Sequence, residues 1–181
     1  MNNEIPRFDE AEKTILSTIF YNDFLGGSLQ LIFSKLNEDH FFHPLHKRLF
    51  NYLRGLNQEG KEWNNVVLMS EAYTNPSKIG SSTDLMEIQQ HGSTHSTEQL
   101  NKYIEILTLG KIKRTMFEQS IKLQEVAISG DAEEVKQLLS DTEKEMAEMA
   151  TETATTSIVG SARVVLEKII ADWESEAKGL T

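Results

Sequence analysis

Apolar side chains recur at three- and four-residue intervals along almost the whole chain, while β-branched alternation is scarce and proline occurs only at Pro6, Pro44 and Pro76. A repeat of about 3.6 residues gathers side chains on one face of a helix, whereas a half-buried strand needs strict alternation. The pattern therefore predicts an all-α protein, and the remaining question is where each helix starts and stops.

Asp9 followed by Glu12 has capping-box spacing and predicts a first helix through Ile15, Leu16, Ile19 and Phe20, ended by Asn22 and Asp23. Gly26-Gly27 precede a short second helix with Leu29, Ile32, Phe33 and Leu36. Pro44 suits the first turn of a third, where its missing N–H would have no intrahelical partner anyway. That helix buries Leu45, Leu49, Phe50 and Leu53 and stops at Gly60; Asn64 or Asn65 caps a fourth with Val67, Leu68 and Ala72. Residues 75–82, broken by Pro76 and Gly80, read as a loop, and a brief helix around Leu85, Met86 and Ile88 follows. These elements predict a globular helical subdomain over residues 1–95.

Ser96 with Gln99 opens a long helix carrying Leu100, Tyr103, Ile104 and Leu107, then Ile112, Met116, Ile121 and Leu123. Gly130 is expected to stop it by taking the left-handed conformation. Asp131 caps the next helix, with Glu134 three residues on. A stop and a start one residue apart imply an antiparallel helical hairpin, residues 96–150. Its returning helix carries Val135, Leu138, Leu139, Thr142, Met146 and Met149, a nearly heptad-spaced seam. The basic residues Lys111, Lys113, Arg114 and Lys122 are placed to pair with the acidic stretch from Asp131 to Glu152, the rival reading being an RNA- or DNA-binding stripe.

Residues 151–161, TETATTSIVGS, read as a flexible linker, and 162–181 as a terminal amphipathic helix. Leu166, Ile169, Ile170, Trp173 and Ala177 share one face of that helix. Burying such side chains is worth roughly 1.5–3 kcal/mol each, so a partner surface is expected unless the helix folds back onto the hairpin.

Composition narrows the function. Cysteine is absent, which removes disulfides, thiol nucleophiles and zinc-thiolate sites. No apolar run is long enough to span a membrane, and Met1 to Phe8 lack the charge and apolar pattern of a secretory signal, so a cytoplasmic protein is expected. The formal net charge of −10 argues against a direct grip on nucleic acid, which requires cations on phosphates. There is no G-x-x-x-x-G-K-[ST] loop, and Gly60-Lys61 and Gly110-Lys111 lack its flanking residues. His40, His43 and His46 have tempting spacing for a metal, but Pro44 puts a helix start between them, with His40 and His43 in the preceding turn and His46 at a surface or half-buried position. Glu10 and Glu12 fit first-turn capping better than acid–base chemistry. The reading is a non-catalytic helical interaction module with no catalytic, cofactor or metal residues of its own.

The short motifs, in order, resemble the amino-terminal domain and linker helix of DnaB-type bacterial or phage replicative helicases. Glu10-Ala11-Glu12 with Ile15-Leu16 and Ile19-Phe20 is similar to the family's EAE-x-x-x-L start. The segment from Phe41 to Phe50 is similar to its F-Y-x-P-x-H-x-x-I-F run and is the most specific piece; Leu53, Leu56 and Gly60 follow as its helix end. Asn64-Asn65-Val66-Val67-Leu68 resembles the next helix with Asn for Asp, and Tyr103 to Leu107 with Lys113-Arg114 resembles the start of the long helix. The stretch from Thr74 to His95 departs from the pattern, and Trp63 is unusual beside the Asn pair.

The resemblance implies a collar domain that assembles as a homo-oligomer, from dimer up to hexamer, through its helical hairpins, and that docks primase and a helicase loader. On that basis Ile121, Val135, Leu138, Leu139 and Met146 are the expected self-association and primase-docking residues. Leu166, Ile169, Ile170 and Trp173 would dock on the ATPase domain of a neighbouring subunit. ATP and magnesium would belong to a motor domain beyond Gly179-Leu180-Thr181, and the intact parent would unwind DNA. The alternative is a stand-alone helical adaptor of a phage or bacterial replisome.

Overall fold

A computed structural model of the chain describes residues 7–21, 27–94 and 96–154. Among the described residues there is no strand; every regular element is helical. The chain divides into two compact units, Met1–Phe117 and Glu118–Thr181.

The first unit contains α1 (Asp9–Phe20), α2 (Ser28–Lys35), a 3-10 turn (Glu38–His40), α3 (Pro44–Gln58), α4 (Asn65–Thr74), α5 (Pro76–Ile79), α6 (Ser82–Gln90) and the start of α7 (Thr97–Ser129). Helix α1 is the centre of the packing, lying against α3 and α6, because Ile15, Leu16 and Ile19 leave solvent entirely. Phe41, Phe50, Leu49 and Leu53 fill the core from the α3 side, and Leu100, Ile104 and Leu107 of α7 close it.

Local chemistry explains most starts and stops. Pro44 is the first-turn residue of α3, and the Asn64 side chain accepts from Val67 N at 3.0 Å to cap α4. Ser81 and Asp84 form a reciprocal capping box at α6. Residues 75–82 are not the plain loop expected: Pro76 begins a one-turn helix, because Ile79 is drawn wholly into the core. Leu68 and Ala72 are buried as expected, whereas Val67 faces solvent and Leu45 is only half-buried. Trp63 is core rather than ornament, with its indole N–H donating to Ile19 O at 3.4 Å.

The capping box expected at α1 does not form. Phe8 is the N-cap residue, without a side-chain cap bond, and Glu12 is buried in the core instead. A carboxylate with stronger donors elsewhere is lost to the helix end.

In the second unit, α7 ends at Ser129 and α8 (Ala132–Ala154) begins two residues after Gly130. Asp131 caps α8 by accepting from Glu133 N and Glu134 N, both at 2.9 Å, and the Glu134 carboxylate in return accepts from Asp131 N. Gly130 is not left-handed, contrary to expectation. Its N–H still bonds Val126 O at 2.8 Å, and an added Cβ would meet that same oxygen at 2.6 Å. Glycine is needed there for space, not for its backbone angle.

Candidate functional site

The most elaborate polar arrangement in the first unit joins α1 to the start of α3. The Glu12 carboxylate, wholly buried, accepts from Phe42 N at 2.5 Å, His43 N at 3.3 Å and His46 Nδ1 at 2.6 Å. His46 is buried too, where a surface or half-buried position was expected. The first backbone N–H groups at a helix start have no intrahelical partner. Glu12 supplies one from another helix, and its charge sits at the favourable end of the α3 dipole.

The neighbouring imidazoles each accept a backbone N–H. His40 Nδ1 accepts from Asn37 N at 3.0 Å, and His43 Nδ1 accepts from Leu45 N at 3.3 Å while its ring lies 4.7 Å from that of His46. As the sequence indicated, His40 and His43 precede α3. Among the described residues no group of three His, Asp or Glu side chains could hold a metal ion.

A small cleft of about 230 Å³ opens beside this arrangement, lined by Asp9, Lys13, His43, His46, Asp84 and Glu87 among others. Lys13 and Glu87 close one side at 2.5 Å; this hydrogen bond holds Glu87 below the usual carboxylate range and Lys13 above its ordinary value. Asp84 is likewise held low by bonds from the Ser81 hydroxyl and N–H. Lys13 with Glu87 and His46 with Glu12 join helices, while His43 and Asp84 cap them. The cluster is built to hold α1, α3 and α6 together.

The Arg114 guanidinium donates to Asp39 O at 2.7 Å and lies 6.0 Å from the Phe42 ring, which Arg7 covers at 4.8 Å.

The second unit holds the residues expected to mediate assembly, and the structure sorts them. Along α8 the more covered side chains are Leu138, Thr142, Glu145, Met149 and Glu152, one face at heptad spacing. Opposite them, Gln119 of α7 is buried and its amide bonds the Glu145 carboxylate, the pairing of an antiparallel hairpin. Leu138 therefore belongs to the seam. Val135, Leu139 and Met146 do not: Leu139 is 60% exposed, with the other two at 39% and 48%. At about 100° per residue they lie roughly 60–100° round α8 from Leu138, on a single flank.

Leu123 and Ala127 of α7, both exposed, turn to the same side, since antiparallel helices present like-signed rotations on a common side. Ile121 does not join them. With Ile128, which is 87% exposed, it faces away from the seam on the far side of α7. Leu166, Ile169, Ile170 and Trp173 lie outside the described residues, as does all of the expected terminal helix; of the expected linker, Thr151 to Ala154 continue α8.

The model of the DnaB-like helicase N-terminal domain matches residues 5–108, more than half of the chain. The chain belongs to that family. The fold agrees: this DnaB-like domain superposes on the crystal structure of the N-terminal domain of DnaB helicase from Mycobacterium tuberculosis with a TM-score of 0.63 and 17% identity. The alignment covers 77% of the present chain and 99% of the other. No curated protein matches the sequence. Among the described residues of the DnaB-like chain, no helix is long and apolar enough to cross a membrane.

Proposed function

We propose that this chain is the non-catalytic collar domain of a replicative DNA helicase, which mediates ring oligomerisation and docks primase and a loader. The observation that carries the proposal is the exposed flank of Val135, Leu139 and Met146 with Leu123, joined to membership of the DnaB-like family. Long apolar side chains aligned on one side of a hairpin are costly in water and mark an association surface. On this reading ATP and magnesium belong to a motor domain of the parent helicase, and this chain contributes no residue to them. DNA unwinding is the parent's activity, and the terminal helix with Leu166, Ile169, Ile170 and Trp173 would dock on a neighbouring subunit's ATPase domain.

The test is mass in solution by light scattering over a range of concentrations, for the protein and for L139E/M146E. Both substitutions lie on the exposed flank, so the helical signal of the first unit should persist while concentration-dependent oligomers disappear. Equal assembly of the two proteins would sink the assignment of this flank.

A further inference from the structure

The face that holds α8 to α7 is thin. Within α8 no described side chain is fully buried, and the half-covered ones include Thr142 and Glu145 beside Leu138 and Met149. Facing them, Gln119 is 95% out of solvent by its 5% exposure, yet its Oε1 has no hydrogen-bond partner, and neither does the buried Thr142 Oγ1. Buried oxygens left unpaired oppose docking, because water is given up and nothing replaces it. Most of the large apolar surface of α8 meanwhile lies on the flank, not in the seam. Burial within one chain therefore rewards the docked position of α8 weakly.

We infer that docking of α8 on α7 is coupled to self-association: covering the flank with a second copy supplies the apolar burial that the seam lacks. This rests on the proposed assembly role and adds a regulatory property, a hairpin that becomes firmly ordered only when paired. A second copy fits because the flank is self-complementary. It is apolar on both helices, and a two-fold axis near Leu139 would bring Val135 of one copy toward the Met146 end of the other. Binding free energy would then appear as folding free energy of α8.

The experiment is amide hydrogen exchange, run beside light scattering on the full chain across concentration, on L139E/M146E, and on that variant carrying Q119L/T142V in addition. Exchange in α8 should be about tenfold or more slower in the associated protein than in monomeric L139E/M146E, while α1 to α6 exchange alike in both. Filling the seam with apolar groups of similar size through Q119L/T142V should restore slow exchange in α8 without restoring assembly. Equal protection of α8 in monomer and oligomer overturns the inference and leaves the assembly role standing. A wild-type chain that stays monomeric at every concentration removes the assembly role, and the coupling with it.

Discussion

The Glu12 carboxylate meets His46 Nδ1 at 2.6 Å with both side chains out of solvent, and the same carboxylate receives the backbone N–H groups of Phe42 and His43. One acidic side chain of α1 thus completes the start of α3, thirty-four positions away at His46. Removing one partner of such a pair leaves the others buried and unpaired. Glu12→Ala should lower the unfolding free energy by about 3–5 kcal/mol, read from urea titration. A loss below about 1 kcal/mol would show that the pair is not what ties the two helices.

Gly110 in α7 lets the Phe8 ring approach to where a Cβ would stand at 2.8 Å. Gly110→Val should cost about 1–3 kcal/mol through overpacking, despite removing a helix-interior glycine. The double variant with Phe8→Ala should lose less than the sum of the single losses, because the clash disappears with the ring. Additive losses in that thermodynamic cycle would place the cost elsewhere.

Asp84 carries the pH dependence of the α6 cap. Hydrogen bonds from the Ser81 hydroxyl and N–H depress its folded pKa. Its contribution is therefore complete above the unfolded carboxylate value and is lost as pH falls through the depressed folded one. Asp84→Asn should remove about 1 kcal/mol at neutral pH and flatten the acid limb of the stability profile. An unchanged acid limb in that variant would assign the pH dependence to other carboxylates.

Trp63 sits in the core with its indole donating to Ile19 O near the end of α1. Trp63→Phe should cost about 1 kcal/mol for the hydrogen bond, and Trp63→Ala about 3–5 kcal/mol for the void. Thermal melts of the two variants separate these contributions. Similar losses would mean that the volume of the ring matters little.

Periodicity alone made the helical architecture legible, and the hairpin turn with its Asp131 cap was readable from the same few residues. The Glu12–His46 pair was legible in principle as well. Glu12, Ile15, Leu16 and Ile19 share one face of α1, as His46, Leu49, Phe50 and Leu53 do of α3, so an acid and a base each open an apolar stripe. Taken singly, Glu12 reads as a first-turn capping residue and His46 as a surface or half-buried helix residue. Only juxtaposed stripes show that each is the other's partner.

The sequence by itself determined the all-helical class, where α3, α4 and α8 begin, and the family to which the motifs point. Those properties depend on neighbours within about one helical turn, and propensity, caps and spacing encode them locally. Tertiary structure alone decided that Gly130 is needed for space, that Pro76 starts a helical turn, and that the single seam read along α8 is two faces. Leu138 meets α7, while Val135, Leu139 and Met146 turn outward and Ile121 lies on the far side of its own helix. A helix repeat states which residues share a face, but only the direction from which the second helix approaches determines which face is covered.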